Sequence, residues 1–125
     1  MAFCLAAACA HARLPAPETL RGYDVLIPGR DTLSRALADA FGDTELRVRR
    51  EVKGGGRPTV VLIHQVFAEP GRDGRQWLMG RLADTRSSVI LAAATLPLDS
   101  AGTAGTDRAK ALVRALLAVP LPAEP

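Results

Sequence analysis

The chain has 125 residues, of which 48 % are apolar, 4 % aromatic and 23 % charged, with a formal net charge of +3. That length holds one domain at most and lets it bury a core without disulfides or metal, while the apolar fraction excludes a disordered chain. Aromatics are too few for a base-stacking nucleic-acid surface, and no apolar run reaches the ~18 residues of a membrane span.

In chain order, residues 1–9 (MAFCLAAAC) are apolar and mostly small, and both cysteines, Cys4 and Cys9, fall here. The remaining chain has no thiol and so no cysteine-based metal site. Residues 10–20 are punctuated by Pro15 and Pro17 and read as a linker. A short strand is expected at residues 22–27, closed by the turn dipeptide Pro28-Gly29. Asp31 suits a helix N-cap, and Leu33, Ala36, Leu37, Ala40 and Phe41 recur at helical spacing. The pattern predicts a helix from Thr32 to Phe41 that Gly42 stops, with Ser34, Arg35 and Asp39 on its polar face.

Residues 45–53 alternate through Leu46, Val48 and Val52, which predicts a half-buried strand with its arginines outward. Gly54-Gly55-Gly56 predicts a hairpin into the next strand. That strand, PTVVLIHQVF at residues 58–67, is the apolar run richest in β-branched residues and reads as the centre of the sheet. Val60, Leu62, His64 and Val66 share one face, and Val61, Ile63, Gln65 and Phe67 the other. Both faces begin apolar, which predicts cover on both sides at that end. After an exposed turn at residues 69–75, strands at 76–83 and 88–96 form a hairpin, with Trp77 and Met79 facing away from Leu78 and Leu82. Residues 97–105 are loop. A last helix, capped by Thr106 or Asp107, buries Ala109, Leu112, Val113 and Leu116 and ends before Pro120, leaving residues 120–125 as a disordered tail.

The order β-α-β-β-β-β-α over residues 21–119 predicts a single α+β domain. The expected architecture is a two-layer sandwich: a mostly antiparallel sheet of about five strands, with two helices on one face.

The chemistry-bearing residues are sparse. His64 is one of two histidines, and the other, His11, lies in the linker. A general base needs a nucleophile and an orienting partner, and a metal needs further ligands, so His64 reads as a packed strand histidine. The alternative is a small soluble enzyme or ligand-binding domain that uses it. PTVVLIH resembles the strand of an α/β-hydrolase that ends in His-Gly, but Gln65 follows His64 and no Gly-x-Ser-x-Gly elbow occurs. The glycine run precedes a strand and lacks the Gly-Lys-Ser/Thr of a phosphate loop. Arg47, Arg49 and Arg50 form the tightest basic cluster, flanked by Glu45 and Glu51. They are a candidate interaction surface for lipid headgroups, glycan or an acidic partner, or else a solvated strand face. No catalytic residue, metal, cofactor or nucleic-acid partner is expected.

Leu5-Ala6-Ala7-Ala8-Cys9, an apolar stretch ending in a cysteine and followed by a proline-rich tether, resembles the lipobox of bacterial lipoproteins. It departs from that pattern in having Ala6 three before the cysteine, where Leu is usual, and in lacking a basic leader. The alternative is an apolar N-terminus or a short helix on the body. The succession of "DTLSRALADAFG", "ELRVRREV", "PTVVLIHQVF" and "DRAKALVRALLAV" resembles the order of elements in ABC-transporter auxiliary lipoproteins and in the amino-terminal domain of periplasmic TolB. These resemblances imply a non-enzymatic envelope lipoprotein that acts as an accessory or adaptor subunit for other envelope proteins. They also imply acylation at Cys9 and an outer-membrane anchor facing the periplasm.

Overall fold

The computed structural model describes residues 13–52, 56–70, 74–102 and 104–118. The lipobox with Cys9, the glycines Gly54 and Gly55, part of the turn after residue 70 and the tail at 120–125 lie outside the described residues.

Five strands and two α-helices follow one another in the expected order. They are β1 (Asp24–Leu26), α1 (Thr32–Phe41), β2 (Arg47–Arg49), β3 (Thr59–Ala68), β4 (Gln76–Asp84), β5 (Ile90–Pro97) and α2 (Gly105–Ala118), with short 3₁₀ turns at Glu18–Leu20 and Asp99–Ala101. The sheet order is β2-β1-β3-β4-β5, and the domain is α+β.

The sheet is mixed. Long antiparallel ladders join β3 to β4 and β4 to β5, whereas β1 pairs in parallel with both β2 and β3. The hairpin expected across the glycine run is therefore corrected: β2 and β3 are not neighbours, because β1 lies between them. The physical reason is the helix. Running β1 through α1 into a parallel β2 lays the apolar stripe of α1 on the sheet, and the chain must then cross β1 to begin β3.

The core lies between the two helices and one face of the sheet. Val25, Val60, Leu62, Leu78, Leu82 and Ala92 supply the sheet side. Leu37 and Phe41 of α1 and Leu112 and Leu116 of α2 are fully buried against it, each contributing ~1.5–3 kcal/mol by leaving water. Gly80 sits mid-strand beneath α2, where a Cβ would lie 2.9 Å from Leu112 Cδ2. Its missing side chain lets the helix seat on β4.

The opposite face carries no helix among the described residues. Val60 is fully buried, but Val61 is only partly covered and Ile63 is 48 % exposed, which corrects the expectation of cover on both sides of β3. Periodicity registered that both sides are apolar, not that only one side has something to lie against.

The α1 boundaries follow from its ends. The Asp31 carboxylate accepts from Ser34 N at 3.1 Å, which satisfies an otherwise free amide of the first turn. Beyond Gly42, buried Thr44 closes the helix: its hydroxyl donates to Phe41 O at 2.6 Å and accepts from Leu46 N at 3.0 Å. Part of the expected linker also packs on the domain. Leu14 forms a parallel bridge with Thr44, and Ala16 and Leu20 are buried.

Candidate functional site

Three places bring chemistry-bearing side chains together. The first lies where the exit of β3 meets the start of α1. His64 faces the core side, and its Nε2 is 3.1 Å from Ser34 Oγ, which is itself 2.6 Å from Asp31 Oδ1. Ser34, expected on the polar face of the helix, is buried, because its partner arrives from a strand thirty residues away. Arg50 closes the cluster by donating through Nη2 to Gly29 O at 2.6 Å and through Nη1 to Ser34 O at 3.4 Å. A Cβ on Gly29 would overlap the Ser34 hydroxyl.

A serine, a histidine and an aspartate in contact suggest nucleophilic catalysis, but proton counting assigns other roles. The Ser34 side chain and its amide both donate to Asp31, and these bonds, with His64 nearby, hold the carboxyl below the ordinary carboxylate range. Asp31 is therefore ionised and can only accept. The single Ser34 proton goes to it, leaving lone pairs that accept from an Nε2–H of His64. An Nε2 that already carries a proton cannot take one from the hydroxyl, so the trio lacks the serine-to-base bond of a catalytic triad. What it does is fasten α1 and the Pro28-Gly29 turn to β3.

The second place is the N-terminal end of the parallel strands. Asp24 is buried and lies between Arg49 Nε at 3.7 Å and Arg57 Nε at 3.3 Å. Its Oδ1 makes no hydrogen bond among the described residues, since the Arg57 contact is close but misaligned. Beside it, a groove of about 410 Å³ runs along the β2 edge, lined by Arg13, Glu45, Arg47 and Arg57 over Ala38 and Val48. The structure thus separates the expected cluster. Arg47 lines the groove, Arg49 is committed to Asp24, and Arg50 is committed to the α1 cap.

The third place is the helix-free sheet face. Strand register puts Val61, Ile63, Gln65 and Phe67 of β3 opposite Ala83, Arg81, Met79 and Trp77 of β4. Phe67 is 36 % exposed. Trp77 Nε1 donates to Glu69 Oε1 at 3.0 Å, and the Arg75 guanidinium sits 5.5 Å from the Trp77 ring centroid, within cation–π range. The result is a mixed strip in which Arg81 stands opposite Ile63 and Gln65 opposite Met79, with Phe67, Trp77, Arg75 and Glu69 gathered at one end. Alternation in the sequence placed Trp77 and Met79 on one side, but nothing in it marked that side as open.

Among the described residues no group of three His, Cys, Asp or Glu is placed to hold a metal ion, and no helix is long and apolar enough to cross a membrane. Fold and sites define a two-layer α+β domain with one sheet face that no described element covers. The chain matches no protein-family model, no curated protein and no solved structure.

Proposed function

We propose that this chain is a non-enzymatic, lipid-anchored protein of the cell envelope, an adaptor that holds a protein partner against the open face of its sheet. The observation that carries the reading is the mixed strip of β3 and β4. Ile63 and Phe67 stand exposed beside Met79 and Trp77 on a face that no described element covers. Exposed apolar and aromatic side chains interleaved with Arg and Gln are a make-up that protein interfaces use. The face favours a partner that presents apolar side chains interspersed with carboxylates, since Arg81 lies within the strip, Arg75 sits over Trp77 and Glu69 is bound to Trp77. The anchor is Cys9, at the end of the lipobox-like stretch. The non-catalytic part of the reading is supported by the Asp31–Ser34–His64 cluster, whose protons run away from the histidine.

Two measurements in intact cells test this. A fatty-acid probe should label the chain and lose that label on Cys9→Ala. A photo-crosslinking amino acid at position 63 should give one discrete envelope-protein adduct that Phe67→Glu abolishes, while the same group at position 110 on α2 gives none. Labelling that survives Cys9→Ala overturns the anchor. Adducts that are equal at both positions overturn the face.

A further inference from the structure

We propose that the groove along the β2 edge binds phosphate groups, presented as the headgroups of anionic phospholipid. The lipid source rests on the anchored reading above; the phosphate chemistry does not.

Three arginines from separate chain segments, Arg13, Arg47 and Arg57, converge on the groove of about 410 Å³. All three are exposed. Two carboxylates lie nearby, one hydrogen-bonded to the backbone and one buried. Glu45 Oε1 accepts from Ala16 N at 3.0 Å, and Asp24 is buried between Arg49 and Arg57. Arg57 meets Asp24 and the Gly22 carbonyl through its Nε, and Arg13 and Arg47 make no ion pair among the described residues. The planar fork of a guanidinium matches two oxygens of a phosphate, which an ammonium does not.

The route from the anchor selects the source. Arg13 follows Cys9 by four residues, which span at most ~14 Å when fully extended. A lipid on Cys9 therefore keeps Arg13 within ~14 Å of the anchor, within reach of the headgroups. Leu14 is fastened to the domain by its bridge to Thr44, so the domain cannot swing away from the surface on a long leash. The groove faces the bilayer, and the helix-free sheet face is left for a protein partner.

The test uses the full-length chain carrying Cys9→Ala, so that no acyl group contributes. It is sedimented with phosphatidylcholine vesicles with and without phosphatidylglycerol, and titrated separately with glycerol 3-phosphate. Binding should appear only with the anionic lipid and fall about fivefold for each groove arginine removed (Arg13→Ala, Arg47→Ala). Arg114→Ala on α2 should change it little, and thermal melts should show all three variants folded. Equal losses from Arg47→Ala and Arg114→Ala would reduce the effect to diffuse charge and overturn the groove. Saturation by glycerol 3-phosphate without vesicle binding would keep the phosphate site and overturn the lipid source. Failure of the anchored reading appears separately, as label retained on Cys9→Ala in cells, and leaves these measurements intact.

Discussion

Gly80 offers the sharpest test of how the two layers meet. It sits in the middle of β4, in register with His64 on one side and Ala94 on the other. A Cβ there would lie 2.9 Å from Leu112 Cδ2, 3.2 Å from Cδ1 and 3.3 Å from Cγ. A flexible surface side chain would step aside. Leu112 is fully buried in the core cluster, so relieving the contact means moving α2 or forcing the leucine off its rotamer. Overpacking of this kind costs ~1–3 kcal/mol. Gly80 has no left-handed backbone to protect, so the new residue also recovers ~0.4–1 kcal/mol by restricting the unfolded chain. The net expectation for Gly80→Ala is a loss of about 1 kcal/mol, with a larger loss for Gly80→Val. Urea titration followed by circular dichroism measures it directly, and each kcal/mol should lower the melting temperature by roughly 4–8 °C in a domain of this size. Leu112→Ala alone should cost ~2–5 kcal/mol. In the Gly80→Val background it should cost at least ~1 kcal/mol less, since the new methyls occupy the space vacated. A Gly80→Val variant as stable as the parent, or strictly additive double substitutions, would refute the close-seating argument.

Two further outcomes are expected. The Tyr23 hydroxyl donates to Asp84 Oδ2 at 2.6 Å, and with the amides of Ser87 and Arg86 it lowers the Asp84 pKa from 3.8 to about 2. A depressed carboxylate stabilises fully above its unfolded value and loses that contribution as pH falls through its folded one. The stability gap between the parent and Tyr23→Phe should therefore hold steady from above pH 3.8 to neutral pH and shrink toward pH 2; a gap that is flat across the acid window in urea midpoints would contradict the assignment. At the N-terminus of α1, Asp31→Ala removes the acceptor of both Ser34 donors and should lower the midpoint of the same titration, whereas Arg35→Ala on the exposed flank should be near neutral.

Much of this architecture is local and could be read from the chain. Asp31, the helical spacing to Phe41 and the stop near Gly42 defined α1 because each acts within one turn of its neighbours. Alternation over 76–83 set the two faces of β4 correctly for the same reason. Strand order is another kind of fact. Whether β2 joins β3 or β1 depends on where α1 settles, and the glycine run between them suits a hairpin and a crossover equally. The buried place of Ser34 was hidden in the same way: a small polar residue on a helix reads as solvated until a histidine from a distant strand donates to it. Asp31 and Ser34, three residues apart, did carry the spacing of an N-cap and the residue that donates to it, and that was the available clue. Splitting Arg47, Arg49 and Arg50 among a groove, a buried carboxylate and a helix cap required knowing the position of Asp24 and Gly29, which no spacing within the cluster reveals.

The position of β1 between two parallel partners bears on the order in which the domain assembles. β3, β4 and β5 are consecutive, and each turns back directly on the last. β1 has three residues and finds both of its neighbours far along the chain, Asp24 pairing with Arg47 and with Thr59. Closing those loops costs entropy that only a preformed template repays. The three-stranded meander closes only short loops, so its pairing carries the lower entropic cost.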